Sequence, residues 1–219
     1  LNSLFTSTVE YRMATFRFFA LLDRLRWIKR WGLKRNVIEE NVMEHSWQVA
    51  TIAHTLAEIR FHVLKQPSHE YTPEQVATTA LYHDCSEVIT GDMPTPIKYH
   101  STTIRKAYQT IEDEAEHELF NQLPESLQPS FKHHMLHKHI HPEVAKLVKY
   151  ADKISAFLKC QGELQAGNAE FKQAAKVIES DIREMNSPEV DYFMSNFVES
   201  YQLTIDELLS QHDSLIAQS

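Results

Sequence analysis

Thr72-Pro73-Glu74-Gln75-Val76-Ala77-Thr78-Thr79-Ala80-Leu81-Tyr82-His83-Asp84-Cys85-Ser86-Glu87-Val88-Ile89-Thr90-Gly91 is the stretch that decides the fold class. It opens as a helix does. Thr72 can cap the free backbone N–H groups of the first turn, Pro73 sits where no N–H is needed, and Gln75 can reach back to the cap. Val76, Ala80, His83 and Glu87 then fall on one stripe at helical spacing, with Ala77, Leu81, Asp84 and Val88 on the stripe beside it. The pattern stops at Gly91. The reading is one helix over about 72–91. Asp92-Met93-Pro94-Thr95-Pro96 follows, where two prolines so close together predict non-helical chain.

The same period recurs on both sides. Residues 13–30 read as a helix with Phe16, Phe19, Leu22 and Leu25 on one face, ended by a turn at Trp31-Gly32-Leu33. A second helix starts near Glu44, with Val49, Ile52, Leu56 and Ile59 as its apolar stripe and His45 at its head. Further helices are expected over 101–122, 125–139, 142–166, 168–186 and 189–211. In the 142 helix Val144, Leu147, Val148, Ala151 and Ile154 face inward and Asp152 borders them. In the last, Val190, Phe193, Phe197, Tyr201, Ile205 and Leu208 are similarly spaced. No segment reads as a strand, and no linker or repeat divides the chain. The expectation is an all-α, compact multi-helix bundle over 13–219, preceded by a leader or appended segment at 1–12, since the chain opens on Leu1 and the strong pattern begins at Met13.

Composition narrows the function. The 219 residues carry a formal charge of −8, against the basic surface a nucleic-acid polymer needs. The apolar runs are too short to span a bilayer. Two cysteines give no disulfide framework and fit a reducing cytoplasm. The four glycines, at 32, 91, 162 and 167, are too scattered for a phosphate-cradling loop, so any phosphate must be held by side chains or a metal.

Ionisable groups on or beside buried faces carry the chemical signal: His45 on the second helix, His83, Asp84 and Glu87 on the third, and Asp152 on the 142 helix. Burying unpaired carboxylates costs several kcal/mol, roughly, so groups gathered from three helices point to a shared compensating partner. A divalent metal serves, and imidazole with carboxylate suits Mn, Fe, Co, Ni or Zn. Bland readings stand beside these. The set could be a polar network without metal, Glu87 a surface carboxylate, Arg30 an exposed cation at a helix C-terminus, Trp31 a core residue, and Asp92 a cap after Gly91. His133-His134-Met135-Leu136-His137-Lys138-His139-Ile140-His141 offers i,i+4 pairs (133 with 137, 137 with 141) that could chelate, but is read as a solvated surface helix. Cys85 and Cys160 read as small buried hydrophobes.

Glu44-His45-Ser46, His83-Asp84 and a distant Asp152 match the H…HD…D pattern of the HD superfamily. Leu25 to Trp31, Arg35-Asn36-Val37, Glu40-Asn41-Val42, Tyr82-His83-Asp84, Glu87-Val88, Gly91 to Tyr99 and Tyr192-Phe193-Met194 resemble the bacterial 5'-deoxynucleotidase (YfbR-like) branch of it. The resemblance covers about 13–209. It implies an HD-domain bundle and a homodimer. It implies hydrolysis of deoxyribonucleoside 5'-monophosphates to deoxynucleoside and phosphate. His45, His83, Asp84 and Asp152 would hold one divalent transition metal, Co2+ or Mn2+ ahead of Mg2+, Zn2+, Fe2+ or Cu2+. Glu87 would be the catalytic acid/base. Arg30 and Trp31 would meet the phosphate, and Asp92, Met93, Pro94 and Thr95 would line the nucleotide site, with Asp84 and Asp152 also touching substrate. Rival readings are another HD phosphohydrolase, acting on a cyclic nucleotide, an alarmone or a nucleoside triphosphate, and a non-catalytic nucleotide-binding module.

Overall fold

A capping box opens the helix on which the rest of the molecule is assembled. Asn41 Oδ1 accepts Glu44 N–H at 3.0 Å while the Glu44 carboxylate takes Asn41 N–H, so two otherwise bare donors are satisfied together. In the computed structural model, which describes residues 15–216, the helices are α1 (Phe18–Leu22), α2 (Val42–Glu58), α3 (Pro73–Tyr82), α4 (Glu87–Thr90), α5 (Thr95–Lys98), α6 (Thr102–Phe120), α7 (Gln128–Met135), α8 (Pro142–Gln165), α9 (Lys172–Glu184), α10 (Pro188–Asn196) and α11 (Ile205–Ile216). The expected leader at 1–12 and the helix start at Met13 lie outside the described residues. Among those residues there is no strand, only an isolated antiparallel bridge between Lys29 and Asn41. Among the described residues no helix is long and apolar enough to cross a membrane.

The main core lies where α2 packs on α3 and α8, with α9 and α10 closing its far side. Val49, Ile52, Ala53 and Leu56 of α2 meet Val76 and Ala80 of α3 and Leu147, Ala151 and Ile154 of α8, all 2 % exposed or less. Each large aliphatic side chain so buried contributes roughly 1.5–3 kcal/mol. A second cluster joins Phe18, Cys85, Leu119, Phe120, Met135 and Leu136 from the α1, α6 and α7 side. The segment from Tyr82 to Cys85 runs between the two.

Five expectations of the sequence are corrected. The expected helix 72–91 is broken: α3 stops at Tyr82, residues 83–86 form turns, and α4 begins at Glu87. Across the break the backbone bonds tighten to a three-residue span, from His83 N–H to the Ala80 carbonyl, Cys85 N–H to that of Tyr82 and Glu87 N–H to that of Asp84, and Cys85, 1 % exposed, packs in the second cluster, although the apolar period runs through unbroken. The first helix is short. It passes at Asp23 into a 3-10 turn ending at Trp27, and Phe18 and Leu25 are buried while Phe16 and Phe19 lie outside. The stretch 94–96 is partly helical, because Pro96 occupies the first turn of α5, where its missing N–H costs nothing. The last helix is two, α10 and α11, separated by a 3-10 turn at Glu199–Gln202, so Val190 and Phe193 are core but Tyr201, Ile205 and Leu208 are exposed. The histidine tract is not one helix. α7 ends at Met135 and His137–His139 is a 3-10 turn.

Candidate active site

Each side chain of the site is placed by one of these elements. His45 sits four residues past Asn41 on the core side of α2 and is 1 % exposed. His83 and Asp84 occupy the turn after α3, which Cys85 anchors. Asp152 lies on α8 between the core residues Ala151 and Ile154. His45 Nε2 is 3.1 Å from Asp152 Oδ1 and 3.5 Å from Asp84 Oδ2, and His83 Nε2 is 3.2 Å from the same Asp84 oxygen. One ligand atom each of His45, His83 and Asp84 lies within 4.8 Å of the others.

The far sides of both imidazoles are engaged. His83 Nδ1 is 2.7 Å from the Ala80 carbonyl, and His45 Nδ1 is 3.1 Å from Ser155 Oγ. Their Nε2 atoms are buried without an aligned hydrogen-bond partner. Buried polar atoms are ordinarily satisfied. Two orphaned imidazole nitrogens beside two carboxylates are the donor set a divalent transition metal takes, with the opposite ring nitrogens tied to oxygens as metal-bound histidines usually are. The residues present therefore fit such an ion.

Arg30 arrives from a different direction. The expected helix ends at Trp27, so Arg30 is not at a helix C-terminus. It lies in the short pairing in which Arg30 N–H donates to the Glu40 carbonyl and Val42 N–H to that of Ile28, both at 3.0 Å. Its Nε donates to Glu40 Oε1 at 2.7 Å and its Nη1 to Asp84 Oδ2 at 3.2 Å. Trp31 follows with φ +60°, a left-handed conformation that costs a non-glycine residue about 1–2 kcal/mol. Lys34 N–H and the Asn36 amide hold its carbonyl, and its ring packs 5.4 Å from that of Phe171. Such strain gathers at functional sites. The expected turn therefore pivots on Trp31 rather than on Gly32, whose φ is not positive.

Glu87 is the first residue of α4, and its Oε2 is buried and unpartnered. Burial, with Asp84 and Asp92 nearby, pushes its pKa up to about 10, so it carries a proton at neutral pH. Asp84 behaves oppositely. Burial works against its charge, but His83, His45 and Arg30 outweigh that and hold it well below the carboxylate range. Asp152 is likewise lowered despite burial, by His45 and then His83. Asp92 is raised, first by burial. Neighbouring carboxyls split in this way are the arrangement of an acid set beside permanent anions. Asp92 follows Gly91, whose φ of +72° makes the turn. Met93 and Pro94 are half-buried and Thr95 is exposed at the head of α5.

The chain reading missed several partners. Glu40 is one, reached only through the folded 28–42 loop. Ser155, Lys159 and Glu163 are others. They continue the Asp152 stripe of α8 at spacings of three, four and four, and that spacing was the available signal. Lys159 Nζ donates to the Ile38 carbonyl, and Glu163 accepts the N–H groups of Val37 and Ile38 at 3.0 Å each, pinning the loop that carries Glu40. The histidine tract does not join the site. His133 turns to the His139 carbonyl, His134 to Thr79, His137 to Glu116 and His141 to Glu70.

The sequence matches the family described as 5'-deoxynucleotidase YfbR-like over residues 17–201. A 5'-deoxynucleotidase of Vibrio parahaemolyticus is 46% identical over 196 residues, covering 90% of this chain and 100% of its own. One of Yersinia pseudotuberculosis is 49% identical over 192 residues, covering 87% and 95%. Among solved structures, an HD-domain phosphohydrolase from Listeria innocua superposes with TM-score 0.72 at 24% identity, over 92% of this chain and 97% of that one. A cyanophage S-2L HD phosphohydrolase, solved bound to dA and one catalytic Zn2+ ion, superposes with TM-score 0.59 at 23% identity, over 84% and 96%. These two likenesses are of fold. The interrupted helix at His83-Asp84, the converging histidines and a match over nearly the whole described chain agree: the chain belongs to the YfbR-like 5'-deoxynucleotidase family.

Proposed function

We propose that this protein hydrolyses deoxyribonucleoside 5'-monophosphates to deoxynucleoside and phosphate, using one divalent metal held by His45, His83, Asp84 and Asp152. The observation that carries it is the pair of buried, unpartnered Nε2 atoms facing two carboxylates, in a chain 46% identical to a 5'-deoxynucleotidase over that relative's full length. A bound divalent cation supplies Lewis-acid stabilisation of charge on the phosphate and acidifies water beside it.

The protein's own groups do the rest. Arg30 meets the phosphate dianion; Asp84, Asp152 and Glu40 hold its charge in place, raising its pKa above the ordinary arginine value although burial opposes this. Glu87, whose carboxyl is raised by burial and by Asp84 and Asp92, is set to give a proton to the leaving 5'-oxygen and, as the carboxylate so formed, to take one from the attacking water. Trp31 and Asp92 to Thr95 wall the sugar, and a wall tight around C2' rejects an added hydroxyl by crowding and by stripping it of water. Co2+ or Mn2+ as the working ion, a homodimer and a cytoplasmic setting belong to the same proposal.

The test is phosphate release by chelator-stripped protein given paired deoxyribo- and ribonucleoside 5'-monophosphates with Mn2+, Co2+, Mg2+ or no metal. Release is expected only with metal, and more from the deoxy member of each pair. No release with any ion would overturn the assignment and favour a binding module or a different phosphoester.

A further inference from the structure

His45 has two ring nitrogens and only one may carry the proton if the ring is to offer a lone pair to a cation. The surroundings decide which. Gln48 lies three residues after His45 on α2, and Ser155 three residues after Asp152 on α8, so each helix presents a pair on one face and the pairs interlock. Ser155 is fully buried. Its hydroxyl has a single proton, directed to Gln48 Oε1 at 2.6 Å, which leaves its oxygen as an acceptor 3.1 Å from His45 Nδ1. Glu40 Oε1, at 3.7 Å from Nδ1, is beyond hydrogen-bond reach and already takes the Arg30 Nε proton.

We infer that Ser155 and Gln48 are positioning residues for the reaction: the chain His45 Nδ1–H to Ser155 Oγ–H to Gln48 Oε1 fixes the proton on Nδ1 and keeps the Nε2 lone pair turned toward Asp84 and Asp152. The direction of the whole chain is set at its far end. If the Gln48 amide donated instead of accepting, the Ser155 proton would point at His45 and the ring proton would move to Nε2, the atom needed bare. Without Ser155 the Nδ1–H would be buried with no acceptor, and the ring would be free to turn or change tautomer. The inference rests on the reading of His45 as a metal ligand and adds what keeps it ready.

The experiment measures the Co2+ dissociation constant of the full chain by competition with a chromogenic chelator, beside the thermal midpoint of the metal-free protein. Ser155→Ala is expected to weaken Co2+ binding about 10–100-fold, and Ser155→Thr, which restores the hydroxyl, to recover most of that. Because Ser155 is buried, the half-buried Gln48 gives a second arm. Gln48→Glu, which can only accept, is expected to hold the constant within about threefold, while Gln48→Leu weakens it by about tenfold. A Ser155→Ala protein that binds Co2+ as tightly as the parent, with only its midpoint lowered, would overturn the inference. So would Gln48→Glu losing as much as Gln48→Leu. His45→Ala separates the two readings. If it too binds Co2+ unchanged, the assignment of His45 as a ligand falls, whereas loss in His45→Ala without loss in Ser155→Ala removes the positioning pair alone.

Discussion

Two regions of this molecule are rich in histidine, and they behave in opposite ways. His133 to His141 holds five imidazoles in nine residues, yet four of them, His133, His134, His137 and His141, each turn to a partner of their own: a carbonyl, a hydroxyl or a carboxylate. His45 and His83 are 38 residues apart in the chain, and their rings meet with centroids 5.3 Å apart. The difference lies in what the fold leaves unsatisfied. In the tract α7 ends at Met135, and His133, His134, His139 and His141 line a separate cavity with Glu70 and Thr79. At the other place two buried Nε2 atoms have no aligned partner and face two carboxylates. Density of ligand residues along a sequence is thus a poor guide, and convergence of unsatisfied atoms a good one.

The same contrast runs through the buried carboxylates. Glu87 is unpartnered, Glu116 is bonded to His137, and Glu163 accepts from two backbone N–H groups, Lys159 and Asn168. The largest effect is expected at the first. Glu87→Gln should retain metal but lose about 10²–10⁴-fold in turnover, while Glu116→Gln leaves turnover unchanged; steady-state phosphate release on both variants checks this. Equal losses would erase the distinction. Glu87 also carries a stability consequence of unusual sign. Its carboxyl is raised from 4.5 to about 10, so the fold favours the neutral form and stability declines as pH rises above 4.5. Glu87→Gln should therefore stabilise the metal-free protein at pH 7 by on the order of 3 kcal/mol, read from denaturant unfolding.

Glu163 gives the converse. Burial opposes its charge, but Lys159, Asn168 and the Val37 and Ile38 amides lower its pKa from 4.5 to about 2. A depressed carboxylate contributes stability that is present above 4.5 and lost as pH falls toward 2. Glu163→Gln should cost about 3 kcal/mol at pH 7, a difference that closes between pH 4.5 and 2 in unfolding curves taken across that range. A constant difference at all pH values would deny that the charge is what pins the loop.

These residues also mark what a sequence tells and withholds. The helical period, the Thr72-Pro73-Gln75 start and the stop at Gly91 were legible because they are local. The break at His83 to Ser86 was not, since the apolar period crosses it unchanged and Cys85 packs with residues of α1, α6 and α7 that are distant in the chain. The Asn41–Glu44 capping box is local and places the start of α2 at Val42, two residues before Glu44. In the site, His45, His83, Asp84 and Asp152 stood out as polar residues on apolar stripes. Glu40 did not, because its contact with Arg30 exists only once the 28–42 loop has folded back on itself.

The most direct test of the account counts metal. Equilibrium dialysis of the chelator-stripped chain against Mn2+ in excess over protein should give one ion per chain, lost in His83→Ala and retained in the double variant His133→Ala, His139→Ala. An ion that stays in His83→Ala and leaves with the tract variant would place the metal in the wrong histidine cluster and contradict the account.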